Sequence, residues 1–291
     1  MSALPRELRC MSTRAKSSSK VRAKLPKPRH LFARLNIRFP WLKLATVIFI
    51  GLVAILDLLD LTISKTDNLA DDFPTAPMST HVKATQRDLT NKKLVALTFD
   101  DGPFPDTTPR LLDILTEKDT IATFFTLGLM AERHPDIVKR AFREGHEIAS
   151  HTMYHQNLPT LTPPDIESDI NQARAIIKSI TGRSVGLTRP PYGAYNQNVL
   201  DLAKSPLILW SVDPQDWLSR NPASIVEIAI SQVHDGAIIL MHDIYPSSVD
   251  ATPALIDALR ANGYEFVTVS ELAKTRGLNL APGNGYYSLK P

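Results

Sequence analysis

The sequence predicts an α/β fold closed into a barrel. Between Lys93 and Gly277, apolar runs of strand length alternate with amphipathic stretches of helix length, the pattern of successive βα units around a mostly parallel sheet. Seven such units can be picked out. The residues able to do chemistry also share one phase, because they follow strands, and in a barrel the loops after strand C-termini converge on one face.

A chain of 291 residues, 43% of them apolar, can bury a full core within one catalytic domain. Residues 1–40 read as a basic tail. Up to Lys43 there are twelve Lys or Arg and one acid, Glu7, so this segment carries about +11 and leaves the rest of the chain at about −8. Such an arm suits nucleic acid in isolation, but it runs directly into the apolar segment 41–60, and basic residues before an apolar run mark a cytoplasmic flank. The expectation is therefore no nucleic-acid partner and a membrane partner instead.

The uncharged run Leu44 to Leu56 is shorter than the roughly 20 residues of a spanning helix. Counting from Trp41 to Leu59, with Lys43 snorkelling, brings it to that length. The reading is an uncleaved single-pass anchor with a cytoplasmic N-terminus and an extracytoplasmic catalytic domain; cleavage of the segment would make the protein secreted. Residues 61–91, polar and containing Pro74 and Pro77, read as a flexible tether with a reach on the order of 30 Å. Cys10 is the single cysteine, so no intramolecular disulfide can form.

Within the catalytic segment, 92–277, strands are expected near 93–99, 120–127, 146–149, 186–189, 206–212, 236–241 and 264–269. Helices are expected near 107–118, 135–144, 164–181, 197–204, 222–234, 249–262 and 270–276. The clearest begins after Thr162-Pro163-Pro164, carries Asp165, Glu167 and Asp169 early, and stops at Gly182. Residues 278–291, rich in Gly, Pro and Asn, read as an irregular tail.

The first strand ends in Asp100-Asp101-Gly102-Pro103, and His151 and His155 follow the third. One Asp with two neutral His makes a three-ligand metal set with an open position for water, and leaves the other Asp free as a base. Each pattern alone is weak, since Asp-Asp-Gly suits a turn and His-x-x-x-His suits a helix surface. Their shared strand-end phase makes the pair strong. Arg189-Pro190-Pro191-Tyr192-Gly193 can aim the Tyr192 N–H at a developing oxyanion while Arg189 pairs with a carboxylate. Asp213 to Trp217 offers a carboxylate to orient a histidine and an aromatic wall for a sugar, and His242 ends a buried strand. The remaining histidines, His30, His81, His134, His146 and His234, read as surface residues.

In order and spacing, Thr98 to Pro103, His151 to His155, Arg189 to Tyr192, Asp213-x-x-Asp216-Trp217 and Leu240-x-His242 resemble the motifs of the polysaccharide deacetylases, carbohydrate esterase family four. The resemblance covers about residues 92 to 276. It implies a distorted (β/α) barrel of seven strands, a divalent metal that is commonly zinc, with Co2+, Ni2+ or Mn2+ as alternatives, and removal of acetyl groups from an acetylated polysaccharide or oligosaccharide. Carried over by position, Asp101, His151 and His155 are metal ligands, Asp100 is the base and His242 the acid. Arg189 orients Asp100, Asp216 orients His242, and the Tyr192 N–H meets the oxyanion. Pro191, Tyr192, Trp217 and Leu240 are the implied substrate contacts. A carbohydrate-binding protein that has lost turnover is the competing class, yet none of the five principal residues is substituted.

Overall fold

The computed structural model describes residues 88–290. The expected basic tail, the membrane segment and nearly all of the tether lie outside the described residues. Among those described, no helix is long and apolar enough to cross a membrane.

The elements run β1 (Lys93–Asp100), α1 (Thr108–Glu117), β2 (Thr123–Thr126), α2 (Gly128–Arg133), α3 (Pro135–Arg143), β3 (Glu147–Ser150), α4 (Pro163–Thr181), α5 (Gln197–Ala203), β4 (Leu207–Ile208), α6 (Asp216–Ser219), α7 (Pro222–Gln232), β5 (Ala237–His242), α8 (Pro246–Ala261), β6 (Tyr264–Phe266), α9 (Val269–Thr275) and β7 (Gly285–Tyr286). Local signals fix the helix ends. The Thr162 hydroxyl accepts from the Asp165 N–H at the start of α4, and Gly182 closes it in the left-handed conformation. Asn196, Asn221 and Thr268 cap α5, α7 and α9 in the same way.

The main sheet is parallel, with β1 between β2 and β5, and β3 beyond β2. Single bridges then join Ser150 to Thr188, Thr188 to Leu207, and Val212 to Ile239 on β5, so the pairings run in a ring. β6 pairs with Lys93 to Val95 on the edge of β1 that β2 takes from Thr98 onward. Two of the seven expected strands are thus much reduced: 186–189 survives as one bridging residue, and 206–212 as the two-residue β4 and the bridge at Val212.

Two expectations at the edges of the domain change. Leu89, in the predicted tether, is buried with Leu94 and Val267, and residues 278–291 are not wholly irregular. β7 pairs with β4, and Leu289 is buried while its N–H donates to the Gly236 carbonyl.

Strand alternation separates two cores. Val95, Leu97 and Phe99 of β1 and Ile239 and Met241 of β5 face outward against Leu111, Leu112 and Leu115 of α1 and Leu255, Ile256 and Leu259 of α8. Leu94, Ala96 and Ile238 pack with Phe125 and Ala149 in a second cluster. On that second face, alternation continues toward the strand C-termini as Thr98 and Asp100 on β1 and Leu240 and His242 on β5. An apolar floor therefore gives way to polar groups within one face of the same strands.

Candidate active site

Parallel register sets the first pair. Asp100 is the partner of His242 across β1 and β5, so the two side chains stand next to each other at the strand ends. Asp100 is almost fully buried, and a buried carboxylate needs a partner to remain ionised. That partner is Arg189, whose Nη1 donates to Asp100 Oδ1 at 2.6 Å and to Thr98 Oγ1 at 2.8 Å. The rest of its guanidinium donates to the Ile208 and Leu209 carbonyls, both at 3.0 Å, and lies on the Phe125 ring at 3.9 Å. Burial lowers the Arg189 pKa, against the raising effect of Asp100.

The main chain of Arg189 serves a different group. Its carbonyl is 2.8 Å from His151 Nδ1. A carbonyl can only accept, so Nδ1 carries the proton and Nε2 keeps a free lone pair directed toward Asp101. His151 Nε2 lies 3.4 Å and His155 Nε2 3.3 Å from Asp101 Oδ1, approaches too long and poorly aligned to count as hydrogen bonds. Asp101 Oδ1 is buried without a hydrogen-bond donor. Two imidazole nitrogens and one carboxylate oxygen, all within 4.8 Å of one another, form the one such cluster among the described residues. An orphaned carboxylate oxygen facing two imidazole nitrogens fits a divalent cation, and the N/N/O donor set suits zinc.

Titration follows the same geometry. Burial raises the pKa of Asp101, but contact with His151 and the positive charges of His151, His242 and His155 bring it down to about 2. For His155, burial and the His151 charge win over Asp101 and lower its pKa, favouring the neutral imidazole that ligation needs. For His151, burial is outweighed by Asp100 and Asp101, which raise it.

The ligand loops are strained and pinned. Asp101, Thr152, His155, Tyr192 and Gln215 all have positive φ without being glycine, a conformation that persists only where the surroundings hold it. The Thr152 and Met153 carbonyls accept from the Gly128 and Leu129 N–H groups at the start of α2. The Met153 N–H donates to Asp169, which the sequence marks only as an early-turn acid of α4. Gly128 is required by close approach, since a Cβ there would lie 2.5 Å from Met153 Sδ. Under the Asp101–Phe104 turn sits the buried Asp243, which accepts from Thr108 Oγ1 at 2.6 Å, and a Cβ on Gly102 would meet its carboxyl oxygen at 2.1 Å. Burial raises the Asp243 pKa to about 7.

On the other side of Asp100, His242 Nδ1 donates to Asp216 Oδ1 at 2.8 Å. The same carboxylate accepts from the Trp217 and His242 backbone N–H groups at 2.9 and 2.8 Å and from Ser248 Oγ at 2.5 Å. Burial works against a charged His242, but the hydrogen bond and charge of Asp216, then Asp100 and Asp101, raise its pKa to about 9. Within Asp213 to Trp217, Asp216 is the first residue of α6.

The expected substrate contacts are less uniform. Pro191 and Leu240 are buried, whereas Trp217 and Tyr192 are exposed at the rim. Pro191 to Gly193 forms a tight turn that uses the Gly193 and Ala194 N–H groups and leaves the Tyr192 N–H unspent. The Tyr192 ring also packs edge-on against His155, 4.7 Å between centroids, a buttress the sequence does not announce. The roles of Ser248, Asp169 and Asp243 are likewise invisible to motif reading, since each acts through a partner distant in sequence. His146 is not a surface residue: it is 4% exposed, and its Nδ1 accepts from the Ala122 N–H at 3.2 Å.

This arrangement can be compared with known proteins. Residues 87–206 match the family model described as polysaccharide deacetylase. The chain is 36% identical over 209 residues to the chitooligosaccharide deacetylase of Bradyrhizobium sp. (strain ANU 289), covering 66% of this chain and 95% of that one. The chain belongs to the polysaccharide deacetylase family. Within the family it is also 41% identical over 186 residues to the peptidoglycan-N-acetylmuramic acid deacetylase PdaC of Bacillus subtilis (strain 168); that match covers 64% of this chain and only 40% of the relative. A solved structure described as T48 deacetylase with substrate superposes with a TM-score of 0.66 at 42% identity, over 69% of this chain and 99% of the other.

Proposed function

We propose that the chain is a zinc-dependent hydrolase that removes acetyl groups from N-acetylglucosamine-type residues of an extracytoplasmic polysaccharide, with peptidoglycan as the substrate. The observation that carries this reading is the arrangement of Asp100 and His242 as register partners beside the Asp101, His151 and His155 cluster, each locked by its own counter-charge. Deacetylation of an amide needs a base at one oxygen and an acid at one nitrogen, held on a common support.

Asp101, His151 and His155 would hold a divalent ion, which would supply Lewis-acid polarisation of the acetyl carbonyl and of the hydrolytic water. Asp100 takes the proton of that water. Its Oδ1 is committed to Arg189, so Oδ2 is the free base, and the Arg189 hydrogen bond holds the carboxylate in place. His242 protonates the departing nitrogen from Nε2, because Nδ1 is committed to Asp216. The Tyr192 N–H is available to the oxyanion. Leu240 and Trp217 line the acetyl and sugar sides.

Peptidoglycan is favoured because 41% identity links the chain to a peptidoglycan deacetylase and because a tethered domain behind a basic-flanked apolar segment suits a wall polymer. In this reading residues 1–40 stay in the cytoplasm, 41–60 anchor the chain, the segment from 61 tethers it, and the catalytic domain has begun by Leu89. The test is the mass change of N-acetylglucosamine oligomers and peptidoglycan glycans incubated with the metal-free and zinc-reconstituted protein. Loss of acetyl groups only with zinc is expected. Glycans left intact by fully zinc-loaded, folded protein would point to a binding role instead.

A further inference from the structure

Arg220 is an exposed residue that has given up most of its freedom. Its Nε donates to the Trp217 carbonyl at 3.0 Å, and its guanidinium lies 3.2 Å from the centre of the Tyr245 ring. Its own φ of 51° is in the left-handed region, so the backbone also holds an unfavourable conformation. Tyr245 in turn packs against His242, 5.7 Å between ring centroids. The cation is therefore fixed at the rim on the acid side of the site, two contacts from the imidazole that protonates the leaving nitrogen.

What Arg220 lacks is an anion. Arg110, Arg140, Arg189 and Arg276 each meet a carboxylate, whereas among the described residues Arg220 meets neither a carboxylate nor any acceptor at Nη1 or Nη2. A guanidinium whose plane is set by stacking and by one backbone acceptor, with both outer nitrogens free, is arranged for bidentate recognition of a carboxylate. Its neighbour in the same segment is Trp217, the exposed ring expected to face sugar.

We infer that Arg220 is a binding residue for a carboxylate carried by the glycan, which makes the chain selective for acidic acetylated polysaccharide over neutral oligomers. The inference rests on the deacetylase reading for its substrate. A lactyl ether on the sugar ring is one source of such a carboxylate and a peptide stem is another; the shared chemistry is a carboxylate close to an acetamide. A purely structural role, bracing the turn between α6 and α7 through Tyr245, predicts no dependence on substrate charge.

The experiment uses the full zinc-loaded chain and three glycans: a tetrasaccharide of alternating N-acetylglucosamine and N-acetylmuramic acid with free lactyl carboxylates, the same compound with those carboxylates converted to primary amides, and the same compound bearing a short peptide stem. Both kcat/KM and equilibrium binding are measured for the wild type, Arg220→Gln and Arg220→Lys, with Tm as the check on folding. The wild type is expected to favour a carboxylate form over the amide by on the order of tenfold, mainly through KM, with the preference weakening as salt is raised. Arg220→Gln should abolish the preference and Arg220→Lys retain part of it at comparable Tm. A preference confined to the stem-bearing glycan would assign the carboxylate to the peptide. Equal ratios in the wild type and Arg220→Gln, or no preference in the wild type, would overturn the inference. Charge-dependent binding without turnover would instead remove the deacetylase reading and leave Arg220 as the receptor.

Discussion

Asp216 and Asp101 are both carboxylates withdrawn from solvent within one site, yet their surroundings are opposite. Asp216 accepts from two backbone N–H groups, a serine hydroxyl and an imidazole, so the protein alone satisfies it. Asp101 has an oxygen with no donor, facing two histidine nitrogens. A half that is complete in itself is a positioning device, and a half that is complete only with a cation is a receptor. The acid side is therefore built by folding, and the metal side is finished by binding.

The largest effect should come from removing the receptor. A His151→Ala/His155→Ala double variant is expected to lose its bound metal and to fall to background activity, with metal content read by elemental analysis. Stoichiometric metal in that variant would break the comparison. On the acid side, Asp216→Asn should keep the metal and lose roughly 10²- to 10⁴-fold in kcat, more for an acetamide than for an activated acetyl ester whose leaving group needs less protonation.

A pH profile sharpens the same point. If His242 is the acid it must be protonated, so activity should fall as pH rises through its pKa; removing the Asp216 charge lowers that pKa and should move the alkaline limb of kcat/KM to lower pH. Identical limbs in both proteins would separate Asp216 from His242.

The smallest predicted effect lies away from the chemistry, at His146. Burial first, and then Arg140, depress its pKa from 6.5 to about 4. Its contribution to stability is present above pH 6.5 and is lost as pH falls toward 4, because over that window the unfolded chain takes up a proton that the folded chain refuses. The whole window is worth about 3 kcal/mol. Denaturant unfolding of His146→Asn, whose side-chain oxygen can still accept from the Ala122 N–H, should show a shallower loss of stability across this range than the wild type.

How much of this was readable in the chain depends on the range of each interaction. The strand ends at Asp100 and His242, the helix start at Thr162 and the helix stop at Gly182 are local signals, and they stand where the sequence puts them. The fourth and fifth strands are shorter than their apolar runs suggest, because pairing there comes down to bridges at Thr188 and Val212 and apolarity alone does not set ladder length. Tail residues that look irregular become ordered because β4 needs a partner, and only the fold reveals that need. Motifs name the residues that touch substrate or metal. They pass over Ser248, Asp169 and Asp243, whose types are ordinary and whose importance arises from residues far along the sequence.

Arg189 has a consequence for how such a site can change. Its guanidinium holds Asp100, and its carbonyl fixes the tautomer of His151. The spacing between Asp100 and the Asp101, His151 and His155 cluster is thereby written into the covalent frame of one residue and does not depend on how two loops settle. Single exposed side chains such as Tyr154, Trp217 and Leu218 can be substituted without touching that frame. A scaffold of this kind allows the range of glycans to diversify while the chemistry is inherited intact.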